Sequence, residues 1–365
     1  MALLEEGLEI RGTYEVERFL GEGAFAEVYR VKHKFLGRQA MKVFKRVDLD
    51  AEEVTRILGE AILLSRLGHP NIVRVFDANT VETAAGVCGF FTMEYVPGGT
   101  LDKFWRSFGS KHVPVETTVE LARQICRGLS VAHRATPPII HRDIKPQNIL
   151  VGYEADGLRA RLSDFGLAKE VNPLTLLATA AGTLAFKPPE AFKGARHSDS
   201  PAADIFALGV TMYLMLTDEL PFHVESELGW GQDVSKWKVP ERPSEWNGEV
   251  NAGLDRIVMK CIEFDAWKRY ANAMELLEAL EAWKPGGKIA SKAALSEATA
   301  KSILGAADLL DEGVGRAMAK DARKLAREGM LGDAADKMEE AFNQCPSLRG
   351  KYAEQVRLWR MGISM

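Results

Sequence analysis

The sequence is poor in the features that would take it out of the ordinary globular classes. Cysteine is scarce: Cys88, Cys126, Cys261 and Cys345 stand far apart in 365 residues and form no CxxC pair. That argues against a disulfide framework or a thiolate zinc site and fits a reducing compartment. Long hydrophobic runs are lacking too. The longest lies near Phe206–Leu216, well short of the roughly 20 residues that cross a bilayer. The opening MALLEEGLEIRGTY is acidic where a secretory leader would be basic and then apolar. Neither charge sign dominates, with 47 basic against 51 acidic residues and a net charge of −4. Nonspecific nucleic-acid binding and attachment to a membrane surface are therefore not favoured. The expectation is a cytoplasmic protein with neither nucleic acid nor membrane as partner.

What is present is an ordinary apolar fraction, 46%, in a chain long enough for one large two-lobed unit and an extension. Short apolar or alternating runs at Tyr14–Phe19, Ala26–Lys32, Gln39–Phe44, Val73–Asp77 and Gly89–Tyr95 predict strands. Helical spacing at Ala51–Leu67 predicts one helix among them. After the Pro97–Gly99 breaker the pattern turns helical: Thr117–His133, Ala202–Leu216, Leu254–Phe264 and Ala271–Trp283 predict core helices. Two strand-like pieces, Ile149–Gly152 and Arg159–Ser163, interrupt them. A second breaker, Pro285–Gly287, precedes an Ala-rich tail predicted to hold three to five helices. The tail carries 14 basic and 11 acidic residues from Lys284 onward, so it is +3 while the remainder is −7.

Chemistry concentrates in four places. GEGAFAEV, Gly21–Val28, joins two strands, and its glycines let backbone N–H groups approach phosphate oxygens. Alone it reads as a tight turn, and no helix follows as a dinucleotide fold would require. Lys42 lies within the apolar strand AMKVF, where a buried ammonium needs a partner. Glu60 on the following helix is the candidate; a lysine snorkelling from a sheet edge is the alternative. HRDIKPQNIL, His141–Leu150, and LSDFG, Leu162–Gly166, then place Asp143, Lys145, Asn148 and Asp164 in a short stretch. Carboxylate and amide oxygens suit Mg²⁺, and a second carboxylate free of metal can orient a hydroxyl.

With these motifs in this order, Tyr14–Trp283 resembles the eukaryotic-type Ser/Thr protein kinases, in a bacterial-like form. The resemblance implies an α+β fold with a β-rich small lobe (14–96) and an α-rich large lobe (97–284), preceded by segment 1–13 and followed by an all-α extension (285–365). It implies ATP and Mg²⁺ as cofactors. Leu20, Gly21, Gly23 and Val28 would cover the nucleotide, Ala40 and Leu150 would sandwich adenine, and main-chain groups of Glu94 and Val96 would meet its edge. Lys42 would hold the α- and β-phosphates with Glu60 as its partner. Asp143 would be the catalytic base, Lys145 the γ-phosphate lysine, and Asn148 and Asp164 the metal ligands. Met93 resembles the gatekeeper, and Leu64, His141 and Phe165 resemble the packed column between the lobes. Arg269 resembles the partner of Glu190, and Asp204 the anchor of the catalytic loop.

The departures are small: Ala26 stands for the third glycine, Pro188 for an alanine, and Phe206–Ala207 for Trp–Ser. None removes a catalytic group. Lys145 and Gly182–Thr183 resemble Ser/Thr rather than Tyr kinases; Thr183 reads as a brace for Asp143 and Lys145 or as a phosphosite. Thr175 and Thr179 lie where activating phosphates land in the family, with Arg142 placed to pair with one. In the tail, Ala322–Leu348 resembles a single degenerate tetratricopeptide-type hairpin, though generic amphipathic helices would read alike. Its apolar stripe of Leu325, Ala334, Met338, Ala341 and Phe342 needs a surface to cover it: the large lobe, a second copy or a partner protein. The implied activity is phosphorylation of protein Ser/Thr hydroxyls, including its own activation segment. The alternatives are a pseudokinase-like scaffold recruiting partners through the tail, and a small-molecule kinase.

Overall fold

In the computed structural model the described residues are 2–47, 59, 65, 67–109, 112–155, 157–165, 184–193, 199–222, 237–286 and 306–363. Apart from residues 59, 65 and 67, the expected helix at Ala51–Leu67, with Glu60 and Leu64, lies outside them, as do the activation-segment threonines Thr175, Thr179 and Thr183.

The small lobe is one antiparallel sheet of β1 (Glu9–Ile10), β2 (Tyr14–Glu22), β3 (Ala26–His33), β4 (Gly37–Val47), β5 (Val75–Thr83) and β6 (Gly86–Glu94), in the order β1-β2-β3-β4-β6-β5. Side chains alternate across such a sheet, and β4 shows the consequence. Met41 and Val43 enter one cluster with Tyr14, Val16, Tyr29, Val31 and Phe90. Ala40 and Phe44 enter another with Ala26, Phe91 and Met93, on the face turned toward the large lobe. Burial on both faces explains why this strand reads as a nearly continuous apolar run. Residues 2–13, which precede the span expected for the domain, pack on its sheet: Glu9–Ile10 forms the edge strand, and Leu4 and Ile10 are buried in the first cluster.

The large lobe contains α1 (Leu101–Arg106), α2 (Val115–His133), the hairpin β7 (Ile149–Glu154) and β8 (Gly157–Leu162), α3 (Pro201–Thr217), α4 (Pro243–Trp246), α5 (Ala252–Cys261) and α6 (Ala273–Ala282). Helix α3 is buried along almost its whole length, as its uniformly apolar sequence demands. Ser200 caps its start by accepting from Ala203 N–H, Pro201 fits the first turn, and Asp218 ends it in the left-handed region. Phe206, in place of the usual Trp, stacks on Phe222 at 5.7 Å. Short elements were the ones missed in the sequence: β1, α1 and α4 have too few residues to display a period.

Among the described residues of the tail three helices follow, α7 (Ala306–Arg327), α8 (Leu331–Gln344) and α9 (Arg349–Arg360). Among the described residues no helix is long and apolar enough to cross a membrane.

Candidate active site

The register of the sheets assembles the site. In the small lobe Lys42 pairs with Val28 on one side and Phe91 on the other, and Gly21 pairs with Val28. This carries the glycine turn and the strand lysine to one edge of the cleft. Gly23 N–H closes the turn on Ala26 O at 2.8 Å, and a Cβ placed on Gly21 would meet nothing within 4 Å. The turn therefore offers backbone and open space. Leu20, Val28 and Leu150 pack against the cluster of Ala40, Met93 and Phe91, so side chains from both lobes form one apolar slot. Glu94 ends β6 with its carboxylate 2.9 Å from Arg161, and Val96 is buried in the segment that follows.

In the large lobe β7 and β8 pair with Ile149 opposite Leu162. Asn148, just before β7, and Asp164, just after β8, consequently emerge at the same end of the hairpin. Ser163 ties them together: its N–H and hydroxyl both donate to Asn148 O, at 3.0 and 3.1 Å. The Asn148 amide nitrogen donates to Asp143 O and to Asp143 Oδ2, both at 2.8 Å. Lys145 Nζ meets the same Oδ2 at 2.8 Å. Lys42, 6% exposed, reaches across from the small lobe to ion-pair with Asp164. Burial opposes the charge on Asp164, yet the Lys42 ammonium holds its carboxyl below the usual range. Five of the expected polar residues thus converge, and the expected pairing of Lys42 with Glu60 lies outside the described residues.

The loop that carries Asp143 is held from below. Asp204, on the first turns of α3, accepts His141 N–H at 2.8 Å, Arg142 N–H at 2.9 Å and His133 Nε2–H at 3.0 Å. Asp143 N–H donates to His141 Nδ1 at 3.3 Å, which leaves the ring hydrogen on Nε2, facing Ser163 O at 2.9 Å. Burial pushes this imidazole below its ordinary pKa, in keeping with a neutral ring. Phe165, fully buried, lies on it with ring centroids 4.4 Å apart. Arg142 and Asp164 both occupy positive φ, 68° and 61°, a conformation costing on the order of 1 kcal/mol each that the surrounding bonds sustain. Below the loop, Arg269 grips Glu190 through two parallel bonds of 2.7 and 2.8 Å.

Two neighbours carried no assigned role in the sequence. Lys187, within FKPPE, donates to Arg142 O at 2.6 Å; burial lowers its pKa, with Asp143 pulling the other way. Asp199 holds the Arg142 guanidinium through contacts of 2.8 and 3.2 Å. The signal for Lys187 was a lysine inside an otherwise apolar motif. Asp199 gave none, because its partnership depends on how the chain returns to α3.

The donor set fits a hard dication. The Asn148 amide nitrogen is committed to Asp143, which leaves the amide oxygen for metal, and Asp164 adds a carboxylate. Among the described residues no group of three or more His, Cys, Asp or Glu side chains forms a metal cage. Mg²⁺ is commonly held by one or two protein oxygens, with phosphate and water completing its shell.

A family model described as the protein kinase domain matches residues 14–280. The chain belongs to the protein kinase family. Among curated relatives it is 32% identical over 298 residues to a probable serine/threonine-protein kinase of Clostridium perfringens, covering 80% of this chain and 41% of that one. It is 30% identical over 274 residues to serine/threonine-protein kinase PrkC of Bacillus subtilis, covering 74% and 40%. The chain thus spans about two fifths of the length of these relatives. Among solved structures, the kinase domain of Mycobacterium tuberculosis PknI superposes with a TM-score of 0.56 at 26% identity, over 76% of this chain and 98% of that one.

Proposed function

We propose that this kinase transfers the γ-phosphate of ATP, with Mg²⁺, to Ser or Thr hydroxyls of proteins. The observation that carries the reading is the convergence of Lys42, Asp143, Lys145, Asn148 and Asp164 at the mouth of an apolar slot that both lobes build. In this reading the slot takes adenine between Ala40 and Leu150, beneath Leu20 and Val28. Main-chain groups of Glu94 and Val96 address the purine edge, and the turn at Gly21 and Gly23 covers the phosphates. Lys42 binds the α- and β-phosphates, and Asn148 and Asp164 hold Mg²⁺, which when bound neutralises phosphate charge. Asp143 accepts the hydrogen bond of the acceptor hydroxyl and takes its proton, while Lys145 stabilises charge developing on the transferred group. Little covalent chemistry falls to the protein; positioning and charge stabilisation do the work.

The proposal includes autophosphorylation at Thr175 or Thr179. Arg142 supports it as a cation beside the catalytic loop whose present carboxylate partner, Asp199, a phosphate would displace or join. It includes a cytoplasmic location, supported by four buried cysteines in the thiol form.

The test is incubation with ATP and Mg²⁺, read by intact-mass and peptide mass spectrometry, for the wild type and Asp143→Asn. Phosphate should appear on the wild type, while the variant binds ATP but transfers it orders of magnitude more slowly. Equal transfer by both would remove Asp143 from the mechanism. Nucleotide binding without transfer by either would favour the scaffold.

A further inference from the structure

Helix α8 lies across the back of the segment that joins the lobes. Asp333, Asp336 and Glu340 share one of its faces, and each meets a small-lobe arginine. Arg38 on β4 reaches Asp333 at 2.8 Å and Asp336 at 3.6 Å. Glu340, 2% exposed at its side chain, ion-pairs with Arg30 on β3 and lies 3.1 Å from Arg18 on β2. The same Glu340 Oε1 accepts the Tyr95 hydroxyl at 2.8 Å, and Arg30 stacks over the Tyr95 ring at 5.7 Å. Tyr95 is the residue between Glu94 and Val96, whose main chain faces adenine in the proposed function.

The helix grips the rest of that segment and the large lobe beyond it. Asn343 donates to Pro97 O at 3.3 Å. Gly98 is packed so closely that an added Cβ would come 2.1 Å from Val151 O and 3.0 Å from Glu339 Oε2. Tyr153 N–H on β7 donates to Glu339 Oε2 at 3.4 Å. Arg349 lies over Phe104 of α1 at 4.7 Å and Phe342 of α8 at 5.3 Å. One rigid element is therefore bonded to the small lobe, to the interlobe segment and to the large lobe.

We propose that α8 is a strut that sets the geometry of the interlobe segment for nucleotide binding, with Glu340 as the positioning residue that ties Tyr95 to the small-lobe sheet. This rests on the ATP reading and extends it to residues that never touch the nucleotide. Main-chain contacts to adenine act alike in the ground state and the transition state. Disturbing them should therefore raise the KM for ATP and spare kcat. A merely structural role for Glu340 would instead lower the folded fraction, reducing kcat with the KM for ATP unchanged.

The experiment uses the full chain as wild type, Glu340→Gln and Tyr95→Phe. It measures the Kd of a fluorescent ATP analogue with Mg²⁺, and kcat and KM for ATP and for a peptide substrate. Glu340→Gln should raise the Kd and the KM for ATP by about three- to tenfold, leaving kcat and the peptide KM within about twofold. Tyr95→Phe, which keeps the ring and removes only its hydroxyl, should shift in the same direction by less. It carries the test if Glu340→Gln fails to fold. Unchanged nucleotide affinity in a folded variant would overturn the strut while leaving the ATP reading intact. A wild type that does not bind the analogue would overturn both.

Discussion

Raising the pH should loosen the seat of the tail helices, and replacing Glu339 by Gln should remove the effect. The Glu339 side chain is fully buried on α8, with Tyr153 N–H at 3.4 Å and Arg360 Nη2 and Nε at 2.9 and 3.3 Å. Burial pushes its carboxyl up to about 7; Arg360 pulls it down, and Asp336 adds to the rise. In the unfolded chain the same group titrates near 4.5. The folded state therefore holds this proton more tightly and is favoured by acid. The contribution is complete below pH 4.5 and is lost as the pH rises through about 7. An interval of about 2.5 pH units at 1.36 kcal/mol each amounts to about 3 kcal/mol, or about 4 °C in Tm for a chain of this length. The assay is thermal or denaturant unfolding of the wild type and Glu339→Gln between about pH 5 and pH 8. Taking the difference between the two cancels the other titrating groups. It should shift against the wild type as the pH rises and level off above about 7. A flat difference, or one moving in the wild type's favour, would mean that the Arg360 ion pair rather than burial governs the site.

Two further outcomes follow from the site. Lys42→Met should reduce phosphoryl transfer by at least about 100-fold, because phosphate positioning is lost and Asp164 is left without its ammonium partner; initial-rate assays at saturating ATP check it, and a wild-type rate would refute the assignment. Arg269→Ala should destabilise the large lobe by about 3–5 kcal/mol in denaturant unfolding, because it leaves the Glu190 carboxylate, 15% exposed, without its buried partner. Arg269→Lys should recover only part of this, since an ammonium cannot form the two-point grip.

The candidate site was legible because its spacing is set by local structure. Asn148 and Asp164 flank a two-stranded hairpin whose register any reader of HRDIKPQNIL and LSDFG can anticipate. Asp143 and Lys145 lie a few residues upstream on the same loop. Likewise Ala40, Lys42 and Phe44 share a strand face by simple alternation. What could not be read were partnerships across long sequence separations with no periodic signal. Asp199 closing on Arg142 spans 57 residues, and Glu340 closing on Arg30 spans 310. Acidic residues at positions 333, 336 and 340 look like an ordinary solvated helix face until three arginines on separate strands are brought opposite them.

The expectation gave the tail's apolar stripe three possible covers, the large lobe, a second copy or a partner protein; in the structure the other tail helices cover most of it and the large lobe adds Tyr153. Ala334, Met338, Ala341 and Phe342 on α8 are buried chiefly against α7 and α9, where Ala319, Ala322, Val356 and Trp359 complete a small three-helix core. Gly315 allows the close approach: a Cβ there would lie 2.4 Å from Cys345 Cβ. Tyr153 is the kinase lobe's contribution, edge-on to Phe342 at 6.3 Å. With its apolar side largely closed on itself, the tail meets the lobes through charged and polar groups. Buried ion pairs return little net stability, because desolvation cancels most of their attraction. They penalise mispairing heavily, however, since any other placement of α8 would take the buried Glu340 away from Arg18, Arg30 and Tyr95. An apolar interface would let the helix slide or rotate at low cost. A face of paired charges fixes one register across the interlobe segment, which is what a strut has to do.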